Sequence, residues 1–427
     1  MKRFAIRELR EWKDSAVRKP LIVEGARQVG KTWLIKEFAS THYKNLVYVN
    51  FEEQRNLRDI FKVDYDTTRI LTAVKATAHQ EVIPGETLIF FDEIQEAENG
   101  LTALKYFKEN APEQHIVAAG SLLGIELYRN SSFPVGKVRF LTLRPMSFYE
   151  FLIALGEDRL EKMLEDEDWV NLSLFASKLK EFLKMYYYVG GMPEAVLAFS
   201  LTRNFEEVRE IQNDILHSYD YDFSKHAPID IVPRIRQLWN SLPAQLSKEN
   251  RKFIYGLVKE GARAREYECA LQWLIDGGMI NKVNNVAAPR IPLKSYEDAS
   301  AFKLFALDVG LLGAMASLDS ETVVEGSRIF TEFKGALTEQ YVFQELLLHN
   351  EPFYFSKTNS QMEIDFLIQK KGKVIPIEVK AEENLRARSL RQFVADYSPV
   401  DAFRLSMSDY RRESWMTNLP LYAAESL

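Results

Sequence analysis

Residues 25–32 read Gly-Ala-Arg-Gln-Val-Gly-Lys-Thr, a complete G-x-x-x-x-G-K-T sequence. The apolar run at 21–24 predicts a short buried strand before it, and residues 33–39 predict a helix after it. In this setting glycines let several backbone N–H groups face one point, and the start of the helix favours anionic phosphate. The stretch therefore predicts a phosphate-binding loop.

The two residues after the second glycine carry the expected chemistry. Lys31 is expected to reach the β and γ phosphates of a nucleotide, and Thr32 to place its hydroxyl on Mg²⁺. The whole loop is expected to contact the nucleotide: Gly25, Ala26, Arg27, Gln28, Val29, Gly30, Lys31, Thr32 and Trp33.

A second motif supports the loop. Residues 88–91 are Leu-Ile-Phe-Phe, which predicts a strand buried on both faces, as in a parallel sheet. Asp92 and Glu93 follow at its C-terminal end, where ligands bind in open α/β sheets. We expect Asp92 to hold Mg²⁺ through water and Glu93 to act as the general base on the attacking water. The alternative is an ordinary strand that ends in a solvated acidic turn.

The spacing of the apolar runs predicts the fold of the first 150 residues. Predicted strands alternate with helical stretches, which indicates a parallel sheet wrapped by helices. The strands are expected at 21–24, 46–51, 88–91, 115–119 and 138–143.

Composition bounds the other possibilities. The chain has 427 residues, enough for about three domains, and 46% apolar with 27% charged residues is globular. A net charge of -6 gives no global argument for nucleic acid, although a local basic face is compatible with it. Cys269 is the single cysteine, and no apolar run approaches the ~20 residues of a membrane span. We therefore expect a cytoplasmic protein with no membrane contact.

The middle of the chain predicts helices and then a winged helix. Residues 151–230 are expected to form a helical lid over the nucleotide domain. Helices at 253–258 and 267–275, followed by wing strands near 279–283 and 292–293, fit a helix-turn-helix with a hairpin. Arg263 and Arg265 would lie at the start of the second helix, where a recognition helix meets DNA. Such modules also serve as packing or protein-contact units.

A separate group of charged residues lies near the C-terminus. Asp365 is on a predicted strand, and the return strand of the same hairpin presents Glu378 and Lys380 on one face. Two carboxylates beside an ammonium suit phosphodiester hydrolysis with Mg²⁺ or Mn²⁺, in which Lys380 would orient or deprotonate water. Glu339, on a predicted helix upstream, is a further metal ligand candidate. The alternatives are a surface hairpin with solvated ion pairs, or a nuclease-like domain with little activity.

These motifs together resemble a family of prokaryotic AAA-type ATPases that end in a domain of unknown function. The resemblance also uses Pro145-Met-Ser-Phe148, Gly190-Gly-Met-Pro193 and Leu307-Asp-Val-Gly-Leu311. The Asp365…Glu378-x-Lys380 pattern is similar to the restriction-endonuclease-like, PD-(D/E)xK superfamily. In AAA-type ATPases a polar residue after the 115–119 strand touches the γ-phosphate, so the resemblance assigns that role to Ser121, which equally suits a helix N-cap.

One position departs from the family pattern. Family members often carry Gly-Arg before the Pro-x-Ser-Phe segment, whereas this chain has Gly136-Lys137. Lysine lacks the planar fork of arginine, so a γ-phosphate-sensing role there is in doubt. Arg139 or Arg144 could replace that arginine by reaching a neighbouring subunit. For Arg139, a plain solvated charge is the preferred interpretation.

We thus expect an α/β protein with four parts: a P-loop ATPase domain at 1–150, a helical lid at 151–230, a winged helix at 231–325 and a nuclease-like domain at 326–427. The expected function is Mg²⁺-dependent ATP hydrolysis coupled to a DNA-acting or DNA-sensing C-terminal domain. The alternative is a nucleotide-gated signalling or scaffold ATPase whose C-terminal domains bind protein partners, or further copies of the chain, and are not catalytic.

Overall fold

A parallel sheet carries both nucleotide motifs. The computed structural model describes residues 1–120, 136–248, 252–326, 331–357, 362–383 and 387–427, without the side chains of 324–326 and 331–332. Within these ranges five parallel strands pair in the order β2-β3-β4-β1-β5. The strands are β1 (Leu21–Glu24), β2 (Asn45–Asn50), β3 (Thr87–Asp92), β4 (His115–Ala119) and β5 (Arg139–Thr142). The parallel α/β sheet predicted from the sequence is confirmed.

Burial explains why these runs form strands. All six residues of β3 are buried, as expected for a strand covered on both faces. Phe91 packs with Phe107 on one side, and Phe90 packs with Tyr48 of the neighbouring strand at 5.3 Å between ring centroids. The helices of this unit are α1 (Ala5–Asp14), α2 (Lys31–His42), α3 (Thr67–Ala78) and α4 (Gly100–Asn110).

The chain divides into two compact units. The P-loop unit comprises Arg3–Arg144 and Asp276–Gly278, and the C-terminal unit comprises Met1–Lys2, Pro145–Ile275 and Met279–Leu427. The helices of the C-terminal unit are α5 (Phe148–Ala154), α6 (Asp158–Glu165), α7 (Trp169–Leu174), α8 (Ala176–Val189), α9 (Pro193–Thr202), α10 (Phe205–His226), α11 (Val232–Leu246), α12 (Tyr255–Val258), α13 (Ala264–Asp276), α14 (Val309–Met315), α15 (Thr331–Leu346) and α16 (Arg388–Tyr397).

Among the described residues of the C-terminal unit, eight strands form a mixed sheet in the order β12-β13-β11-β10-β9-β8-β6-β7. They are β6 (Ile280–Val286), β7 (Glu297–Ala306), β8 (Phe353–Ser356), β9 (Glu363–Lys370), β10 (Lys373–Val379), β11 (Phe403–Ser406), β12 (Arg411–Arg412) and β13 (Thr417–Pro420). The hairpin β6–β7 joins the sheet through Asn285, which pairs with Tyr354 of β8. The sheet therefore runs across residue 325, where the sequence predicts a domain boundary.

The expected wing differs from the observed hairpin. A strand at 292–293 is wrong: Leu293–Tyr296 forms a 3₁₀ turn, and the strand that pairs with β6 begins at Glu297. The apolar residues that decide the strand lie later, since Ala301 to Ala306 are all buried. No described helix is both long enough and apolar enough to cross a membrane.

A glycine doublet organises the C-terminal unit. The backbone N–H of Gly191 donates to Asp308 Oδ1 at 2.6 Å, and Leu311 N–H donates to Asp308 Oδ2 at 3.0 Å. A side chain at Gly190 would place its Cβ 2.0 Å from the Asp308 carboxylate, so this contact requires glycine. Burial raises the pKa of Asp308 to about 6, although these amide donors lower it. Asp308 therefore fastens the end of α8 to the start of α14.

Candidate nucleotide-binding site

The loop between β1 and α2 has the backbone shape of a phosphate cradle. Gly25, Gln28 and Gly30 have positive φ values of 142°, 64° and 90°. A Cβ on Gly25 would lie 2.2 Å from the carbonyl oxygen of Leu143, so only glycine fits where the loop leaves β1. Gly30 immediately precedes α2, which places the free N–H groups of that helix at the loop.

Lys31 lies across this loop. Its side chain is buried, and Nζ donates to the carbonyl oxygens of Gly25 and Ala26, both at 2.8 Å. Burial lowers the pKa of Lys31 to about 8, although the Glu93 and Asp92 carboxylates raise it. Both carbonyl partners of the ammonium are neutral, so the site retains a positive charge suited to phosphate.

Asp92 and Thr32, the two residues of this domain expected to hold Mg²⁺, contact each other. Thr32 Oγ1 donates to Asp92 Oδ2 at 2.8 Å, and the phenol of Tyr48 donates to the same oxygen at 3.0 Å. Burial raises the pKa of Asp92, while the Thr32 hydroxyl lowers it. A hydroxyl and a carboxylate are the hard oxygen donors that Mg²⁺ prefers, so these residues fit that ion.

Glu93 lies at the end of β3 in a left-handed conformation, with φ 48°. This turn sends its side chain out of the strand, and Gln95 Nε2 donates to Glu93 Oε2. Its position beside Asp92 is compatible with a base acting on water near the γ-phosphate. Ser121, the other catalytic candidate of this domain, lies outside the described residues.

The arginine candidates occupy different environments. Arg139 is exposed, whereas Arg144 is only partly exposed, and its desolvation lowers its pKa although the Glu24 carboxylate raises it. Lys137 pairs with Glu109 at 3.0 Å. An exposed Arg139 is compatible with the solvated charge preferred from the sequence.

Two residues of the site escape sequence reasoning. Arg3 is buried, and its guanidinium donates to the carbonyl oxygens of Val29 at 3.0 Å and Arg144 at 2.6 Å, which ties the loop to the segment after β5. Tyr48 reaches Asp92 because β2 and β3 are neighbours, with Tyr48 in register with Phe90. The only sequence signal for Tyr48 is its place in the alternating pattern of β2. That place indicates a contact with Asp92 only when the strand order is known.

The C-terminal candidates come together only in part. Val379 N–H donates to Asp365 Oδ2 at 2.7 Å, and Lys380 Nζ pairs with Glu378 Oε1 at 2.8 Å. Burial raises the pKa of Glu378, Lys380 lowers it, and Asp365 adds a smaller increase. Asp365, Glu378 and Lys380 are therefore close to one another, with the Glu378 charge already paired.

Glu339 lies in another ion pair. Its Oε1 is 3.1 Å from Lys303 Nζ, which also pairs with Glu363 at 2.8 Å, and the side chain of Lys303 is completely buried. Among the described residues no group of three or more His, Cys, Asp or Glu side chains is arranged to hold a metal ion. Arg263 and Arg265 are exposed at the start of α13.

Comparison with known families matches three parts of the chain. Residues 17–152 match a family described as an AAA domain. Residues 180–322 and 334–423 match families described as Domain of unknown function (DUF8612) and Domain of unknown function (DUF4143), respectively. A comparison with curated proteins finds no match.

Several solved structures are similar at low identity. A Walker-type ATPase of Pyrococcus abyssi is 14% identical, with 73% of this chain and 94% of that one covered and a TM-score of 0.45. The Orc1 protein of Aeropyrum pernix, solved in complex with DNA, is 14% identical, with 74% and 93% covered and a TM-score of 0.29. A signal transduction ATPase with a tetratricopeptide repeat sensor from Pyrococcus horikoshii is also 14% identical, with 82% and 45% covered and a TM-score of 0.29.

Proposed function

Because this chain is an AAA-type P-loop protein with a C-terminal domain of unknown function, we propose that it binds ATP with Mg²⁺ and hydrolyses the terminal phosphoanhydride bond. The observation that carries the proposal is the contact of Thr32 with Asp92 beside a buried Lys31, whose partners among the described residues are two loop carbonyl oxygens. The Lys31 cation, the Thr32 hydroxyl and the acidic pair Asp92 and Glu93 therefore lie together near the start of α2.

Each residue has a distinct task in the proposed reaction. The loop amides and Lys31 bind the β and γ phosphates, and Thr32 and Asp92 would hold Mg²⁺, which neutralises phosphate charge when bound. Glu93 accepts a proton from water as the water oxygen attacks the γ-phosphorus. The bond from the γ-phosphorus to the bridging oxygen breaks, and ADP leaves with that electron pair.

The test is release of phosphate from ATP by the full chain, measured with Mg²⁺ and with EDTA, beside direct nucleotide binding. We expect release that requires Mg²⁺. If neither ATP nor ADP binds at millimolar concentration, the proposal is wrong. If the chain binds nucleotide but releases no phosphate, it is a nucleotide switch and not an ATPase.

We propose further that the nucleotide state is coupled to a DNA-acting or DNA-sensing domain at 326–427, after a lid at 151–230 and a winged helix at 231–325. The support is the proximity of Asp365, Glu378 and Lys380 at one end of the β9–β10 hairpin. These groups would hold Mg²⁺ or Mn²⁺ and a water near a phosphodiester. Glu339 can serve as a ligand only if its carboxylate leaves Lys303 and binds the metal instead.

A different observation favours the alternative function. Glu378 pairs with Lys380, and Glu339 pairs with the fully buried Lys303, which suits a domain whose charged groups are structural. In that case the C-terminal unit binds protein partners and the chain is a nucleotide-gated signalling or scaffold ATPase.

One experiment separates the two functions. Assorted DNA and RNA are incubated with the full chain and Mn²⁺ or Mg²⁺, with and without ATP, and resolved on a gel. The nuclease function predicts cleavage that Asp365→Ala and Lys380→Ala each remove. If no nucleic acid is cut, DNA binding is measured against salt concentration. A steep decrease in affinity supports DNA sensing, and absence of binding supports the rival.

A further inference from the structure

Tyr48 belongs to a continuous chain of hydrogen bonds that ends on Asp92. Asn50 Nδ2 donates to the Tyr48 phenol oxygen at 3.3 Å, and the phenol donates to Asp92 Oδ2 at 3.0 Å. Asn50 is itself held, because its Oδ1 accepts the backbone N–H of Glu52 at 2.9 Å and of Glu53 at 3.3 Å. The phenol therefore approaches Asp92 from a fixed position.

The ring of Tyr48 is fixed as well. Lys36 Nζ lies 3.7 Å from the ring centroid, and the ring packs on Phe90. Lys36 is one helical turn after Thr32 on α2, so this helix contacts Tyr48 through Lys36 and Asp92 through Thr32. The ring is therefore held by contacts with α2 and with β3.

The two oxygens of Asp92 are used unequally. Oδ2 accepts both hydroxyl hydrogens, from Thr32 and from Tyr48. Within the described residues, Oδ1 accepts only the backbone N–H of Glu93, at a longer 3.2 Å. The carboxylate is therefore oriented with Oδ1 as the more available acceptor, the oxygen that can receive a hydrogen bond from metal-bound water.

We propose that Tyr48 is a positioning residue for the magnesium ion: its hydroxyl holds the Asp92 carboxylate so that Oδ1 faces the metal's water shell. The inference rests on the proposed binding of Mg²⁺ and ATP. It assigns to β2 a part in magnesium binding in addition to the phosphate-binding loop and the acidic pair.

The test is Tyr48→Phe, which removes the hydroxyl and keeps the ring that contacts Lys36 and Phe90. A fluorescent ATP analogue is titrated in EDTA and at graded Mg²⁺ concentrations. We expect the Mg²⁺ concentration for half-maximal enhancement of binding to rise roughly fivefold, since one hydrogen bond to a charged group is lost. Affinity in EDTA should change by less than about twofold, because the phosphate-binding amides and Lys31 are untouched.

Two further variants make the result specific. Tyr43→Phe is the matched control, because Tyr43 also loses a phenolic hydrogen bond in the same unit, to His115 at 2.7 Å. It should leave the Mg²⁺ dependence unchanged. In an Asp92→Asn background Tyr48→Phe should have no further effect on the Mg²⁺ dependence, because its target carboxylate is gone. If Tyr48→Phe does not fold, Asn50→Ala should shift the Mg²⁺ dependence in the same direction by about twofold.

The outcomes are distinguishable. If the unaltered chain binds no nucleotide, the proposed function is wrong and the inference falls with it. If the unaltered chain shows Mg²⁺-dependent binding and Tyr48→Phe has the same Mg²⁺ dependence, only the inference is overturned. An equal loss of affinity with and without Mg²⁺ would also overturn it, since the hydroxyl would then act on the loop as a whole.

Discussion

The two charged sites of this chain hold their lysines in different ways. Lys31 Nζ rests on two neutral carbonyl oxygens, whereas Lys380 Nζ is bonded to the Glu378 carboxylate at 2.8 Å. A ligand phosphate can replace carbonyl partners at little cost, but separating Lys380 from Glu378 leaves a buried carboxylate without its counter-ion. Under the proposed function, the P-loop is therefore prepared for an anion, whereas the C-terminal group would have to exchange an ion pair before it could bind a metal.

The largest expected effect comes from removing the Lys31 ammonium. Lys31→Ala should weaken ATP binding by at least about 100-fold, because a buried cation that contacts two phosphates is lost. Binding is measured by isothermal calorimetry. Lys44→Ala is the control, since Lys44 is an exposed lysine of the same unit paired with Glu86. Unchanged binding in Lys31→Ala would place the nucleotide elsewhere.

The next effect separates binding from turnover. Glu93→Gln should lower the rate of ATP hydrolysis by about 10²–10⁴-fold, the usual contribution of a general base, while ATP still binds. Phosphate release and nucleotide affinity are measured on the same preparation. Glu98→Gln, an exposed carboxylate paired with Lys62, should behave like the unaltered chain. Full activity in Glu93→Gln would remove this residue from the mechanism.

The third prediction tests whether the C-terminal ion pair is structural. Lys380→Ala should destabilise the C-terminal unit by about 1–2 kcal/mol, a value reduced by the partial exposure of Lys380. Adding Glu378→Gln should recover most of the loss, because the unpaired charge disappears with it. Chemical denaturation measures both variants. Lys371→Ala, at the exposed hairpin tip, is the control. Equal stability in Lys380→Ala would mean that the pair is not required for folding.

The last prediction concerns the pH dependence of the stability of the C-terminal unit. Burial raises the pKa of Glu425 to about 8 from 4.5, with the Ser147 hydrogen bond opposing it and Glu150 adding to it. A raised carboxyl pKa favours the folded state while the group is protonated, so stability should decrease as pH rises from about 4.5 to 8. Glu425→Gln should reduce the dependence in denaturation curves, and an unchanged dependence would contradict this assignment.

The sequence predicts the first sheet well because its signals are local. The apolar runs at 21–24 and 115–119 coincide with β1 and β4, and the motif residues Lys31, Thr32 and Asp92 converge in the structure. The strands β3 and β4 are short runs buried along their whole length, so their nearly continuous apolar character identifies them. The contact between Thr32 and Asp92 follows from the motif spacing together with this sheet.

Contacts that depend on strand order or on distant chain segments are not encoded locally. Tyr48 reaches Asp92 only because β2 lies beside β3, and Arg3 reaches Val29 from 26 residues away. Glu339 forms an ion pair with Lys303, and no periodicity in the sequence predicts this contact. The strand expected at 292–293 rests on a short and weak apolar pair, whereas the buried run that forms β7 lies further along the chain.

The mixed sheet has a practical consequence for anyone who studies the C-terminal segment on its own. A fragment that starts at residue 326 would lack β6 and β7, so β8 would become an edge strand and its hydrophobic cluster would lose Val286 and Leu293. Uncovered hydrogen-bonding edges recruit other chains, so such a fragment should aggregate on expression. A fragment that begins before residue 279 keeps all eight strands and is the better choice for purification.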